Sequence, residues 1–244
     1  MLVIPAIDIK DGQCVRLYQG EMEKETVYFT SPVEAAKHWV EEGAELLHVV
    51  DLNGAVEGRP VHKQEVTAIC LGFGVPVELG GGLRSLEAIE EAMGLGVERV
   101  VIGTAAYEDR DFLRTVCRRF PGKILVGIDA REGRVAIRGW KEDTSTDAVE
   151  LAKRCEEDGA SRIIYTDISR DGTSQGVNAE ETLRLARAVK IPVIASGGVA
   201  SLEDIRRLKA LENDGVEGVI VGRALYSAAF TLREVIELAQ KVDK

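Results

Sequence analysis

An α/β fold of eight strand–helix units is what the sequence predicts, and three observations carry that expectation. Eight short, near-continuous apolar runs alternate with helical stretches. The length, 244 residues, suits eight such units. The first half of the chain also repeats in the second. Together they predict a (β/α)8 TIM barrel with an internal two-fold half-barrel repeat, one domain over 1–244 with halves of about 1–121 and 122–244. A doubly wound open sheet alternates in the same way, but its phosphate fingerprint is missing. The nearest approach, Gly80-Gly81-Gly82-Leu83-Arg84-Ser85, has serine where the last glycine belongs.

Taken in order, the strands are expected at 2–7, 46–51, 75–79, 99–102, 124–128, 162–166, 192–195 and 218–221. Each is the kind of run that parallel strands buried on both faces require. Helix starts are readable between them. Ser31-Pro32-Val33-Glu34 predicts a capping box with proline in the first turn. Asp147 with Glu150, and Asn178 with Glu181, repeat the cap-to-third-position pairing in variant form. Three connections are long enough to serve as covers: 11–31, 130–146 with Trp140 between Arg138 and Lys141, and 169–178. Trp140 could stack on a flat heterocycle or anchor its own loop, whereas Trp39, inside the first helix, is expected in the core.

The repeat is specific. Pro76-Val77-Glu78-Leu79-Gly80-Gly81-Gly82-Leu83-Arg84-Ser85-Leu86-Glu87 aligns with Pro192-Val193-Ile194-Ala195-Ser196-Gly197-Gly198-Val199-Ala200-Ser201-Leu202-Glu203, 116 positions on. At the same offset Leu46–Asp51 aligns with Arg162–Asp167; without that offset, Val101-Ile102-Gly103-Thr104-Ala105 matches Ile220-Val221-Gly222-Arg223-Ala224. Ile7-Asp8-Ile9-Lys10-Asp11-Gly12 matches Ile128-Asp129-Ala130-Arg131-Glu132-Gly133.

Barrel active sites lie at the C-terminal ends of the strands. Asp8 and Asp129 end strands four positions apart, so the repeat sets two carboxylates opposite one another over one pocket, a pairing suited to general acid and general base. The competing possibility is that each merely caps a turn, since Lys10-Asp11-Gly12 and Arg131-Glu132-Gly133 are turn-like. Glycines are matched too: Gly81 and Gly82 with Gly197 and Gly198, and Gly103-Thr104 with Gly222-Arg223. Glycines admit phosphate to backbone N–H groups, and the loops after strands seven and eight are the recurrent phosphate site of such barrels. A copy in the other half predicts a small-molecule substrate with a phosphate at each end, unless the glycines serve only tight turns. Arg84, Arg223 and Lys10 are expected to supply local positive charge, and Arg16 and Gly172 join the candidate substrate-binding set.

Composition removes other classes. Net charge is −10 and the pI about 5.0, which argues against nucleic-acid partners. No apolar run approaches a membrane span, and the first residues lack the pattern of a secretory leader. Cys14, Cys70, Cys117 and Cys155 are far apart and His38, His48 and His62 share no ligand spacing, so neither a metal site nor a disulfide framework is expected, and the usage suits a reduced cytoplasm. A monomer is expected.

The set Ile4-Pro5-Ala6-Ile7-Asp8, Gly80-Gly81-Gly82-Leu83-Arg84-Ser85, the stretch 133–140 and Thr166-Asp167-Ile168-Ser169-Arg170-Asp171-Gly172-Thr173 resembles, from end to end, the HisA family of histidine biosynthesis, the phosphoribosylformimino-5-aminoimidazole carboxamide ribotide isomerases. The sister cyclase family HisF shares the half-barrel repeat and opposed aspartates, but the Ile-Pro-Ala-Ile-Asp start and Arg138-Gly139-Trp140 resemble the isomerase. The resemblance implies an Amadori rearrangement of aminoaldose to aminoketose without a cofactor, on a substrate carrying two phosphates. It implies Asp8 as the base at C2′ and Asp129 as the acid at the ring oxygen, with Thr166 and Asp171 as further catalytic residues and Asp171 as the alternative acid. Activity also on phosphoribosylanthranilate, a HisF-like cyclase, and a non-catalytic barrel that binds a bisphosphorylated metabolite are the alternatives.

Overall fold

The computed structural model of the chain describes residues 1–173 and 175–241. Ser174, in the sixth connection, and 242–244, the end of the expected domain, lie outside the described residues. Eight parallel strands run Leu2–Lys10, Leu47–Asp51, Val77–Gly80, Arg99–Ile102, Ile124–Arg131, Arg162–Asp167, Val193–Ser196 and Val216–Val221. Each pairs with the next, and the eighth pairs with the first through Leu2↔Gly218 to Pro5↔Val221, which closes the barrel. Helices fill the connections and cover the outside. No helix among the described residues is long and apolar enough to cross a membrane.

Alternation along the strands builds two cores. Val3, Ile7 and Ile9 point outward and pack under the helices with Leu47, Val49 and Val126. Ile4 and Ala6 point inward and meet Leu46, Leu125, Ile164, Ile194 and Ile220 in a separate cluster inside the barrel. The side-chain period of two therefore sorts one apolar run into both layers.

Two expected loops are instead antiparallel extensions of the barrel. Leu2–Lys10 outruns its expected end and pairs with Gln13–Tyr18, which pairs in turn with Glu21–Phe29. Ile124–Arg131 likewise outruns its end and pairs with Arg134–Ile137, followed by Glu142–Asp147. The cause is local. Asp11-Gly12 and Glu132-Gly133 both take positive φ at each residue (49° and 76°; 50° and 75°), the two-residue turn whose twist matches a hairpin.

Caps agree in part. Pro32 opens its helix as expected, but the Ser31 side chain makes no cap bond, so the capping box is not formed there. Asn178 accepts from Glu181 N at 3.3 Å, as the spacing predicts, whereas Asp147 accepts from Val149 N at 2.9 Å, one position before the expected Glu150. Complete boxes occur instead at Ser201 with Asp204 and at Thr231 with Glu234. Trp39 is buried, its indole N–H donating to Tyr226 at 3.1 Å.

Candidate active site

The same alternation aims the functional side chains. Two residues beyond Ala6, Leu125 (four residues on), Ile164 and Ile220, the inner face continues as Asp8, Asp129, Thr166 and Gly222 at the C-terminal mouth. Asp129 and Thr166 are register partners on adjacent strands, and the Thr166 hydroxyl is bonded to the Asp129 carboxyl. Trp140 Nε1 donates to Asp129 Oδ2 at 2.8 Å. Burial pushes the Asp129 carboxyl above its ordinary value, and the bonds from Trp140 and Thr166, with the nearby His48, bring it only part of the way back.

Arg16 brings the rest of the site together. Its Nη1 lies 2.9 Å from Asp8 Oδ2 but off the hydrogen-bond direction, so Nε and Nη1 are buried with no hydrogen-bond partner among the described residues. Burial pulls this guanidinium down, but the Asp8 and Asp171 charges outweigh it and keep it cationic. It lies directly against Gly222, where a Cβ would meet Nη2 at 2.1 Å. Arg16, Asp171, Gly197, Gly198, Gly222 and Arg223 line one narrow pocket at the mouth. Buried donors without acceptors beside the glycines after strands seven and eight suit an anionic oxygen-rich group. Asp171 faces the same pocket. Burial, with Asp8 and Asp129 adding to it and Arg16 opposing, pushes its carboxyl up to about 6.

The matched glycines occupy matched places. A Cβ on Gly82 (φ 75°) would stand 2.6 Å from the Arg59 carbonyl carbon, and one on Gly198 (φ 82°) 2.6 Å from the Gly176 oxygen. Backbone passes too close for any side chain at either site. Gly81 lies against the Asp51 carbonyl as Gly197 lies against that of Asp167. Gly103 (φ −101°, ψ −100°) and Gly222 (φ −109°, ψ −104°) share one unusual backbone conformation.

The candidate cations divide. Arg223 donates to the Gly172 carbonyl and sits 6.0 Å from the centre of the Tyr18 ring, at the pocket. Arg84 is exposed and donates to the Ala55 carbonyl at 2.6 Å. Lys10 pairs with Glu25. Thr104 Oγ1 accepts from Arg138 N at 2.9 Å, fastening the fifth connection to the fourth strand's end.

The three expected covers meet over the mouth. The turn Gln19-Gly20 lies on Trp140, where a Cβ on Gly20 would be 2.3 Å from the indole. Gln19 Nε2 donates to the Ser169 carbonyl at 3.1 Å, and Gly172 packs against the Leu17 carbonyl. Trp140 here holds its loop to Asp129, with its ring under the hairpin tip.

Other residues escaped the sequence reading. Asp51 is a buried brace that accepts from Gly54 N, Val61 N, His62 N and His62 Nδ1. Asp167 does the same for Ser169 and Asn178. Their alignment in the repeat was the available signal. His48 is bonded to a fully buried Glu78, a pairing announced only by titratable residues at inward positions of neighbouring strands.

The family described as "Histidine biosynthesis protein" matches residues 2–231. Curated relatives include proteins from Syntrophus aciditrophicus (53% identical over 240 residues, 98% of this chain and 99% of the relative) and Geobacter sulfurreducens (51% over 241 residues, 99% of each). A third, from Trichlorobacter lovleyi, is 53% identical over 241 residues, 99% of this chain and 98% of the relative. All three are named 1-(5-phosphoribosyl)-5-((5-phosphoribosylamino)methylideneamino)imidazole-4-carboxamide isomerase.

Proposed function

The chain belongs to the HisA isomerase family of histidine biosynthesis, and from that premise we propose a mechanism for it as an isomerase of that pathway. Its substrate is the aminoaldose named in its relatives, and its product is the phosphoribulosyl isomer. Two phosphates fit the two matched sets of glycines. The observation that carries the mechanism is the meeting of Asp8 and Asp171 around Arg16, beside the glycines after strands seven and eight.

Asp171 gives its proton to the ring oxygen, the ring C–O bond breaks, and the nitrogen lone pair forms the C1′=N bond of a Schiff base. Asp8 then removes the C2′ proton, and the electron pair forms C1′=C2′ while nitrogen recovers its own. Ketonisation moves a proton from the C2′ hydroxyl to C1′ and leaves the aminoketose. Asp171 suits the acid role because burial beside two carboxylates favours its protonated form, with Arg16 as the opposing charge. Asp129, which accepts from Trp140 and Thr166, suits an anion that orients the indole and the opened sugar. Arg16 screens the charge on Asp8 and offers its free donors to substrate oxygen.

Turnover of the purified protein on the ribotide, with cyclase and ammonia supplied to consume the product, is the test. Asp8→Asn is expected to lower kcat by about 10²–10⁴-fold, the usual worth of a positioned base. Full activity in that variant overturns the mechanism. A folded native protein with no turnover points instead to a cyclase or to a barrel that only binds the metabolite.

A further inference from the structure

The connection after the second strand holds the root of the first hairpin. Asp11 N donates to Asn53 Oδ1 at 2.9 Å, and Asn53 Nδ2 returns a bond to Asp11 Oδ1 at 2.8 Å. One residue on, Gly12 N donates to His62 Nε2 at 3.1 Å. That nitrogen is the acceptor, so the ring proton sits on Nδ1, which donates to Asp51 Oδ1 at 2.9 Å. His62 is buried, and both of its ring nitrogens are bonded. A Cβ on Gly12 would meet nothing within 4 Å, so polar contacts rather than packing fix this turn.

The half-barrel repeat shows what the fold alone requires. Asn178 stands 116 positions after His62, as Asp167 does after Asp51. Asn178 Nδ2 donates to Asp167 Oδ2 at 2.6 Å, so an amide is enough to complete the brace. Its oxygen turns to the following helix and accepts from Glu181 N. The imidazole adds a second nitrogen on the far side of the ring, and the Gly12 N–H takes it. The strand that begins at that turn carries Arg16.

We propose that His62, together with Asn53, is a positioning residue of the isomerisation: the two clasp the turn Asp11-Gly12 and so fix where Arg16 meets Asp8 and the pocket. The inference rests on the acid–base reading above. Strand Gln13–Tyr18 pairs with the first barrel strand from Lys10↔Gln13 to Asp8↔Val15. Arg16, one residue further, pairs with Thr26 of the mostly exposed strand Glu21–Phe29. Its guanidinium is thus carried past the ladder to the barrel, and a hairpin that rocks about its root moves it against Asp8 and Gly222. The clasp removes that freedom, and reacting groups tolerate little misplacement. The same connection also backs the matched glycines of the other half. The Gly54 and Arg59 carbonyls stand against Gly82, and that of Asp51 stands against Gly81. One support therefore sets both ends of the site.

His62→Asn is the test, because Asn178 shows that asparagine can keep the bond to the aspartate while lacking the second nitrogen. Amide exchange in the free protein, followed by NMR, reads the clasp; steady-state kinetics on the ribotide read its consequence. Exchange at Gly12 and at hairpin amides 13–17 is expected to quicken about fivefold, the worth of one neutral hydrogen bond, with Val3 and Ile4 unchanged. KM is expected to rise about fivefold with kcat held within about twofold, since Arg16 offers its donors to bound substrate and transition state alike. A role in stability alone lowers the folded fraction, which lowers apparent kcat and leaves KM in place. His62→Gln, which returns an acceptor toward Gly12, is expected to restore both readouts. Asn53→Ala cuts only the bonds to Asp11 and is expected to move both readouts as His62→Asn does. It decides alone should the histidine variant fail to fold.

Native exchange rates in His62→Asn overturn the proposal. Faster exchange with an unmoved KM overturns it too, as does a fall in kcat alone. A native protein that turns over beside an unchanged His62→Asn refutes this inference and leaves the isomerase reading standing. A native protein without turnover refutes the isomerase reading by itself. Exchange at 13–17 in His62→Asn then decides the clasp, for it if faster and against it if equal.

Discussion

Three aspartates share the mouth, and their surroundings assign their work. Asp8 faces a buried guanidinium, Asp129 accepts from Trp140 and Thr166, and Asp171 has Arg16 as an opposing charge and two carboxylates as neighbours. A group that must hold a proton loses its function as pH rises through its pKa. For Asp171, at about 6, kcat/KM is therefore expected to fall on the alkaline side with a limb that begins near that value. The charge on Asp129 raises Asp171, so Asp129→Asn is expected to move this limb to lower pH while activity persists. Asp171→Asn is expected to remove the limb together with most of the activity. A pH–rate series on the three proteins checks this; loss of the limb in Asp129→Asn and its survival in Asp171→Asn would reverse the roles.

At the scale of elements, the first connection is a lid built as a hairpin. Glu21–Phe29 is mostly exposed, so the outer strand of the hairpin contributes little to the core, yet the hairpin tip holds Trp140 and the sixth connection in place. Gly20 (φ 73°) lies so close to the indole that Gly20→Ala must either strain the turn or displace Trp140. The expected result is kcat/KM lower by about tenfold, the price of a misplaced cover, with thermal unfolding nearly unchanged. Steady-state kinetics and a melting curve on one preparation check both halves. This lid also marks where sequence reading stopped. The barrel strands were legible because each is a short apolar run, and Asp8, Asp129 and the paired glycines because the repeat doubles them. Glu21–Phe29 carries Glu-Met-Glu-Lys-Glu and shows no buried alternation, so it read as loop; only the Asp11-Gly12 and Gln19-Gly20 turns hinted at a hairpin. The environment of Asp171 was not legible either. It depends on Arg16 arriving from a distant hairpin, a contact that neither local propensity nor spacing encodes.

At the scale of the molecule, two half-barrels meet at two seams, and each seam carries the same device at a different strength. Asp158 follows helix Ala148–Glu157, at the start of the second half, and takes Arg110 and Arg114 from helix Arg110–Arg119, at the end of the first. Arg110 donates at 2.7 and 2.8 Å and Arg114 at 2.8 Å to a carboxylate with no exposed surface. At the other seam the equivalent position, 116 residues earlier, is Glu42, which follows helix Pro32–Glu41 and meets Arg233 at only 3.7 Å with its side chain 29% exposed. Charge-assisted bonds to a covered carboxylate outweigh a long, wet pair. Asp158→Asn is accordingly expected to cost about 2 kcal/mol, moderated by the half-exposed arginines, and Glu42→Gln less than about 0.5 kcal/mol. The sign with pH follows from the bond to Arg110, which, with Arg114, holds the Asp158 carboxyl below its ordinary value in the folded chain. Its contribution is complete above the unfolded pKa of about 3.9 and is lost as pH falls through the lower folded value. Urea unfolding should therefore show a constant gap between native and Asp158→Asn proteins from neutral pH down to about pH 5, closing below about pH 4. A gap of equal size for Glu42→Gln would overturn the difference between the two seams, and one that widens in acid would overturn the role of the ionised Asp158.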